Sequence, residues 1–391
     1  MNSLIAIAYL TGFSYAATTA CTGTISSLGG KMTFELVGLR MLTNTMPDVA
    51  NAVKCTTVNI NSFTVTAGQA LTLDLLQGTT VNMLTIHIRI IHHSSEGDVT
   101  FGVANWEGPL FTVSGKDITF NGNGHKFDGN GPSYWDGLGG NGGVVKPAPM
   151  MKIKISGTYT GVTVVNSPAR TYSVSNPAPL TMTGLTIDNS LGDKPNSNSN
   201  GIAAGHNTDG FDCSTTNLVI SNSNIHNQDD CLAINKGSNI TFTGNTCTGG
   251  HGISVGSIST GATVDNIQIT NNKIIDNDQA LRIKTKSDAT GASVTGVTYT
   301  GNTATGCKRF GVIIDQSYPS TLGTPGNGVK ISGINFSGAT SNIAVASGAQ
   351  RVAVNCGSGS CTGTWNWSSL KVSGGTAGPI TGFSGITGFS Q

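Results

Sequence analysis

The sequence contains few charged residues and no long apolar run, and each absence argues against a class of protein. Charged side chains make up 10% of the 391 residues, and the formal net charge is +1. The chain therefore lacks the basic footprint that is typical of nucleic-acid-binding proteins. No apolar segment reaches the ~20 residues that a transmembrane helix needs. We expect neither a nucleic acid nor a membrane as a partner.

Strong helix formers are also scarce, whereas glycine is abundant. Glycine accounts for 54 of the 391 residues, and much of the remainder is Ser, Thr and Asn, which are mediocre to poor helix formers. Disorder requires low hydrophobicity together with high net charge, but the apolar share here is 37%. This composition predicts an all-β protein with many short strands joined by polar turns.

The N-terminus has features of a secretory signal over residues 1–16. Leu4–Leu10 is a short apolar run, and small residues flank a cleavage point after Ala16. The segment lacks the Lys or Arg that usually precedes such a run. We expect the mature protein, residues 17–391, to be secreted and extracellular. Sequons permit N-glycosylation in a eukaryotic secretory pathway at Asn239, Asn335 and Asn366.

Eight cysteines fit an oxidising compartment. The absence of a Cys-x-x-Cys motif argues against a cysteine metal site. Cys231 with Cys247 and Cys356 with Cys361 could each close a local loop, and Cys21 with Cys55 could link the N-terminus to the rest of the chain. The connectivity does not follow from sequence alone. The remaining Cys213 and Cys307 either pair or stay as buried thiols.

Short alternating strands recur along the chain at a spacing typical of a solenoid. An apolar-polar-apolar phrase ended by a turn residue begins at Ile118, Val162, Leu185, Leu218, Ile240, Ile267, Val297 and Ile334. The first step is 44 residues, which we interpret as two coils of 22, and the others lie between 22 and 37. A β-sandwich lacks this longer period. We therefore predict a single-domain parallel β-helix, in which each strand pairs with its equivalent one coil away.

Two segments, 31–46 and 83–96, lack the Thr, Gly and Asn composition of their surroundings. The second contains His87, His92 and His93, but no carboxylate spacing supports a metal site, so we interpret it as a solvated loop. Foreign composition and clean edges motivate the hypothesis that both segments are translated remnants of unspliced introns. Sequencing the mature transcript tests this hypothesis, because both segments would then be absent from it.

Four polar clusters in the middle of the chain follow the coil period. They are Asn207-Thr208-Asp209, Asp229-Asp230, Gly250-His251-Gly252 and Arg282-Ile283-Lys284. Residues one coil apart lie side by side on one face of a solenoid. Three carboxylates, an imidazole and two cations would therefore meet in one patch. Adjacent residues on a flat strand point to opposite faces, but at a bend both carboxylates of the second cluster could face the groove.

This composition indicates hydrolysis of an acidic polymer. Glycoside hydrolysis needs one protonated carboxyl and one ionised carboxylate. Arg282 and Lys284, two residues apart on one strand face, suit an anionic substrate. The same cations disfavour the rival interpretation, a Ca²⁺ site made of the carboxylates. Tyr318 falls 36 residues after Arg282 and is a candidate to contact a sugar.

Four motifs together resemble the signatures of the polygalacturonases, the family 28 glycoside hydrolases. They are NTDGFD at 207–212, NQDDC at 227–231, GGHGISVGS at 249–257 and RIK at 282–284. The resemblance extends from about Trp106 to residue 367 and is greatest to fungal endopolygalacturonases. It implies a right-handed parallel β-helix and inverting hydrolysis of α-1,4 galacturonosyl bonds in homogalacturonan, the backbone of pectin.

The resemblance also implies a role for each matching residue. Asp229 would be the general acid, and Asp209 and Asp230 would hold and deprotonate the water. His251 would support the protonation state of Asp229. The residues expected to bind galacturonate are Asn207, Arg282, Lys284 and Tyr318. The implied disulfides are Cys231–Cys247 and Cys356–Cys361.

The resemblance implies no metal and no organic cofactor. We expect a monomer whose partners are polygalacturonate and, by family resemblance only, inhibitor proteins of a plant host. Three alternatives stay open: an exo-acting or rhamnogalacturonan-type pectin hydrolase, a Ca²⁺-dependent pectate lyase, and a non-catalytic β-helical carbohydrate-binding protein. Lyase products absorb ultraviolet light through a new double bond, and a binding protein would not need three carboxylates and a histidine at coil spacing.

Overall fold

A computed structural model describes residues 20–27, 48–84 and 98–391, together with the backbone of four short strands between these ranges. The predicted signal at residues 1–16 lies outside the described residues, as does most of the two atypical segments, 31–46 and 83–96. No helix among the described residues is long and apolar enough to cross a membrane.

Two large parallel sheets contain most of the described strands. The larger sheet has 19 strands, which are Thr22–Ile25, Thr57–Ile60, Leu71–Asp74, Thr80–Met83, Phe111–Asn121, Met151–Thr160, Tyr172–Val174, Leu180–Thr183, Phe211–Ser221, Asp230–Thr243, Gly252–Ile258, Thr263–Thr270, Gln279–Lys286, Ala292–Thr300, Phe310–Tyr318, Val329–Phe336, Gln350–Asn355, Cys361–Thr362 and Ile380–Thr381. The smaller sheet has 11 strands, which are Phe63–Val65, Val99–Phe101, Lys126–Asp128, Thr163–Val165, Thr186–Asp188, Asn224–His226, Thr246–Thr248, Lys273–Ile275, Thr303–Cys307, Ser341–Val345 and Leu370–Ser373.

The remaining elements are short. One parallel pair joins Trp365–Asn366 to Ile386–Thr387. The described backbone contains two antiparallel pairs, Glu35–Leu36 with Leu39–Arg40 and Ile86–His87 with Ser94–Ser95. Both antiparallel pairs fall inside the two atypical segments, which thus depart from the parallel ladder as well as from its composition. The helical elements are an α-helix, Asp48–Ala52, and the 3₁₀ turns Gly131–Ser133, Gly139–Asn141 and Ser190–Asp193.

Successive coils stack their aliphatic side chains in register. Leu218 pairs with Ile240, Ile240 with Ile267, Ile267 with Val297 and Val297 with Ile334. All five side chains are fully buried, and they belong to one continuous apolar core that extends from Ile25 to Leu370. The predicted all-β fold, a parallel β-helix, is confirmed.

The assignment of two repeat phrases to the same ladder was wrong. The phrases that begin at Val162 and Leu185 form strands of the smaller sheet, where Thr163–Val165 pairs with Thr186–Asp188. In the larger sheet the partner of Leu218 one coil earlier is Leu180. The first step of 44 residues is therefore not two coils of one ladder. Both sheets use the same local alternation, so a three-residue phrase cannot identify its sheet.

Long strands bend where the larger sheet turns a corner. In the strand Asp230–Thr243 the corner lies at Gly237, which has a φ of 119°. A Cβ atom there would lie 1.6 Å from the carbonyl oxygen of Thr215 in the preceding coil. Only glycine combines this backbone conformation with so close an approach of neighbouring coils.

Three disulfides link cysteines that the sequence offered as candidate pairs. They are Cys21–Cys55, Cys231–Cys247 and Cys356–Cys361. Cys213 and Cys307 are free and buried. Of the two alternatives for this last pair, buried thiols are thus the correct one.

Candidate active site

The predicted acidic residues lie where the chain passes from the smaller sheet to the larger one. Asp229 occupies a bend between Asn224–His226 and the strand that Asp230 begins. Asp209 lies just before Phe211–Ser221, one coil earlier. Because the coils are parallel, these bends stack, and all three carboxylates line one cavity. The bend lets both adjacent aspartates face that cavity.

Asp229 accepts hydrogen bonds at both carboxylate oxygens. The Nδ1 atom of His251 lies 2.9 Å from Oδ1, and the backbone N–H of Asp230 donates to the same oxygen at 2.7 Å. The side-chain amide of Asn207 donates to Oδ2 at 2.9 Å. Asn207, predicted as a substrate ligand, therefore orients the carboxylate of Asp229 in this arrangement.

Asp230 is buried and bound by two cations. Arg282 Nη2 donates to Oδ1 at 2.5 Å, and Lys284 Nζ donates to Oδ2 at 2.6 Å. The hydroxyl of Ser254 adds a third hydrogen bond at 2.8 Å. The cations predicted to bind substrate carboxylates thus already neutralise a buried carboxylate, which would otherwise be strongly unfavourable.

The pKa values of the site diverge because neighbouring groups differ. Burial, followed by repulsion from Asp229, raises the pKa of Asp209 well above its ordinary value. Burial would also raise the pKa of Asp229, but the hydrogen bond and charge of His251 outweigh it and lower that pKa. Burial would lower the pKa of His251, yet the contact with Asp229 raises it. The contact between His251 and Asp229 therefore favours a protonated imidazole beside an ionised carboxylate, whereas Asp209 holds a proton more tightly than an ordinary aspartate does.

The three carboxylates line a polar cavity of about 510 Å³, which His251 and Arg282 do not line. Tyr318 lies at its edge, with its ring centroid 5.2 Å from Lys284 Nζ. The polar residues that line the cavity are Asn141, Arg170, Ser173, Asn207, Asp209, Asp212, Ser214, Asp229, Asp230, Asn235, Ser257, Lys284 and Tyr318. Such a lining suits a hydrophilic ligand that carries both hydroxyl and carboxylate groups.

The model of the glycosyl hydrolases family 28 matches residues 55–386. The chain belongs to family 28 of the glycosyl hydrolases. Endopolygalacturonase B of Aspergillus oryzae is 41% identical over 329 residues, which cover 82% of this chain and 84% of that protein. Endopolygalacturonase 1 of Colletotrichum lindemuthianum is 40% identical over 344 residues, which cover 85% and 87% respectively.

A solved structure in the same family resembles this family 28 hydrolase closely. Endopolygalacturonase I from Stereum purpureum, complexed with two galacturonates, superposes with a TM-score of 0.80 at 44% identity. The match covers 92% of this chain and 96% of that chain. The resemblance inferred from the four motifs is thereby confirmed at the level of the family.

Two residues of the family 28 site were missed by sequence reasoning. Withdrawal from water raises the pKa of Asp212 to about 6, although the Arg170 guanidinium, 3.8 Å away, acts in the opposite direction. Strand alternation after Phe211 could have identified Asp212, because a buried residue is followed by one that faces out. No local signal identifies Arg170, since an inserted loop separates it from Asp209 by an irregular step of 39 residues.

Asp229, Asp230 and His251 also form a candidate metal cluster. One ligand atom of each lies within 4.8 Å of the others. However, the oxygens of Asp230 already accept from Arg282 and Lys284, which would repel a divalent cation. The donor set therefore fits a hydrolytic site for an anionic substrate better than a metal centre.

Proposed function

We propose that this family 28 hydrolase is an endo-acting enzyme that cleaves α-1,4 galacturonosyl bonds of homogalacturonan with inversion. The observation that carries the proposal is the meeting of three carboxylates with Lys284 in one cavity, while His251 and Arg282 bind two of these carboxylates without lining that cavity. The names of the relatives, endopolygalacturonases at about 40% identity or more, support the same substrate.

The acid in this mechanism is the pair of Asp229 and His251. The pair holds one proton at acidic pH, and the 2.9 Å contact between Nδ1 and Oδ1 allows it to pass to the carboxylate. Asp229 then protonates the glycosidic oxygen as the bond to the anomeric carbon breaks. The leaving sugar departs as an alcohol, and His251 is reprotonated from solvent. In this proposal Asp229 has the general-acid role that the family resemblance implies, and the proton comes from the neighbouring His251.

The water that attacks the anomeric carbon loses its proton to Asp209. A raised pKa makes the ionised form of this carboxylate a stronger base than an ordinary aspartate. Asp230, held by two cations, orients the same water. Attack from the face opposite the leaving group inverts the configuration at the anomeric carbon.

Substrate binding rests on the positive groups of the groove. Lys284 and Arg170 both line the cavity, and Arg170 is half exposed. Either can pair with a galacturonate carboxylate. Tyr318 offers a ring face or hydroxyl to a sugar. Three disulfides support secretion, and the continuous core supports a single catalytic domain over residues 17–391.

The first experiment measures reducing-end release and viscosity loss on polygalacturonate, with EDTA present. We expect a rapid viscosity loss that EDTA leaves unchanged and that Asp229→Asn abolishes. Slow viscosity loss with steady sugar release would mean exo action, and products that absorb ultraviolet light would mean elimination.

A second experiment separates acid from base. An aryl galacturonide with a good leaving group needs little protonation, so it should restore much of the rate of Asp229→Asn. The same substrate should leave Asp209→Asn as impaired as it is on polygalacturonate. Equal recovery of both variants would contradict the assigned roles.

A further inference from the structure

A fully buried amide lies beside the catalytic bends without facing the cavity. Asn227 follows the strand Asn224–His226 and precedes Asp229 by two residues. Its Nδ2 atom lies 3.0 Å from each of three main-chain carbonyl oxygens, those of Thr208, Asp229 and Asp230. An amide with two N–H groups thus serves three acceptors, and all three lie at the bends that carry the carboxylates.

The three carbonyls belong to the peptides that orient the catalytic groups. Thr208 directly precedes Asp209, and the other two carbonyls belong to Asp229 and Asp230 themselves. The Asp229 carbonyl also accepts from the backbone N–H of His251 at 2.7 Å. Asn227 thus binds the bends of two successive coils directly, and it is linked to the third through the Asp229 carbonyl.

The packing around this amide leaves no room for adjustment. A Cβ atom on Gly250 would lie 2.1 Å from the Asp229 carbonyl oxygen and 2.8 Å from Asn227 Oδ1. The third coil therefore approaches the amide only because position 250 is glycine. Close-packed interiors transmit displacements rather than absorb them, so a change at Asn227 should move the carboxylates.

We propose that Asn227 is a positioning residue that fixes the relative placement of Asp209, Asp229 and Asp230 by binding their main-chain carbonyls. It contacts no substrate and transfers no proton. The effect of Asn227 on the rate rests on the proposed function. The effect of Asn227 on the contact between Asp229 and His251 does not depend on that function.

The chain offers a matched control at the opposite turn of the coil. Asn245 is equally buried, and its Nδ2 atom donates to the carbonyl of Ile220 at 3.1 Å and to Asn272 Oδ1 at 3.2 Å. It does not line the cavity. Truncation of either amide removes buried hydrogen bonds of the same kind, so the two variants should lose similar stability.

The test compares Asn227→Ala and Asn245→Ala with the wild type by two measurements. The first is an NMR titration of His251, assigned with His251→Asn, because its raised pKa reports the contact with Asp229. The second is steady-state kinetics on polygalacturonate, well below the unfolding temperature of each variant.

We expect Asn227→Ala to move the pKa of His251 back toward its ordinary value and to lower kcat ~100-fold with KM nearly unchanged. Asn245→Ala should keep both properties. An unchanged His251 titration in Asn227→Ala, or equal kinetic losses in the two variants, would overturn the proposal. If Asn227→Ala does not fold, Asn227→Ser is measured in the same way. If the wild type fails on polygalacturonate, the proposed function fails, and the His251 titration still decides the role of Asn227.

Discussion

Both turns of each coil satisfy buried main-chain groups with side-chain amides, but buried charges lie at one of the two turns. At the asparagine corner, where the chain passes from the larger sheet to the smaller one, Asn245, Asn272, Asn302 and Ser341 form a ladder. The backbone N–H of each of the first three donates to the side-chain oxygen of the next. At the catalytic corner, where the chain returns to the larger sheet, buried carboxylates and cations occupy the bends.

The difference shows which buried polar groups the fold needs and which serve chemistry. Neutral amides satisfy the main chain of the asparagine corner without any charge. Buried ion pairs rarely stabilise a protein more than apolar or neutral alternatives would. The charges of the catalytic corner are therefore best explained by function, and four perturbations can break or sharpen this contrast.

The largest effect expected is on catalysis at the catalytic corner. Asp229→Asn should lower kcat about 10³-fold, since it removes the group proposed to protonate the leaving oxygen. Asn272→Ala at the asparagine corner should leave kcat within twofold, because the contacts of Asn272 lie at Asn245, Asn302 and the Phe242 carbonyl. Steady-state assays on polygalacturonate measure both, and a comparable kcat loss in Asn272→Ala would erase the contrast.

The next effect is on stability. Asp230→Asn leaves Arg282 and Lys284 buried without their carboxylate, so it should cost about 3 kcal/mol of unfolding free energy. Asn272→Ala should cost about 1–3 kcal/mol, the penalty for a buried carbonyl left unpaired. Urea denaturation gives both values. A stable Asp230→Asn variant would mean that the cations find other partners.

A smaller effect concerns the pH dependence of stability. Asp212 titrates near 6 in the folded protein because of burial, and at about 3.8 when unfolded. Between these two pKa values the folded state binds more protons than the unfolded state. The contribution of Asp212 to the free energy of unfolding is therefore fully present below pH 3.8 and declines as the pH rises to 6. Melting temperatures across this window should fall less in Asp212→Asn than in the wild type, while Asn272→Ala should keep the wild-type slope.

The smallest effect concerns glycosylation, which tests the neutral ladders further. Asn239 Nδ2 donates to Asn217 Oδ1 at 3.0 Å, and its oxygen accepts from Asn266. In the described hydrogen bonds, the side chains of Asn335 and Asn366 accept through Oδ1, and the amide nitrogen to which a glycan would attach is not used. Peptide mass spectrometry of protein secreted by a fungal host should find glycans at the last two sites in preference to Asn239. Full occupancy at Asn239 would show that its ladder contact is dispensable.

The pH profile of activity tests the proposed mechanism at the catalytic corner, and a variant of the asparagine corner serves as the control. The rate should fall on the acidic side as Asp209 gains a proton and on the alkaline side as His251 loses one. The acidic limb should lie at a higher pH than the ordinary pKa of an aspartate, and the alkaline limb at a higher pH than the ordinary pKa of a histidine, because the pKa values of Asp209 and His251 are both raised. A profile of kcat/KM against pH measures them, and the control Asn245→Ala should reproduce the wild-type curve.

Much of the catalytic corner was predictable because coil spacing translates into spatial adjacency. Asp209, Asp229 and His251 are separated by 20 and 22 residues, close to one coil without an inserted loop. Arg170 escaped the prediction because an inserted loop lies between it and Asp209. The partners of Asn227 were equally hidden, since main-chain carbonyls carry no sequence signature.

The sequence by itself determined the β-helix and the three carboxylates that meet in the cavity, and it offered candidate cysteine pairs without determining their connectivity. These features depend on composition and period, which are local properties repeated along the chain. Only the tertiary structure decided that Arg282 and Lys284 bind Asp230, that the contact with His251 lowers the pKa of Asp229, and that Asn227 binds carbonyls of two successive coils. Pairing and protonation depend on burial and on neighbours from other coils, and no spacing in the chain encodes them.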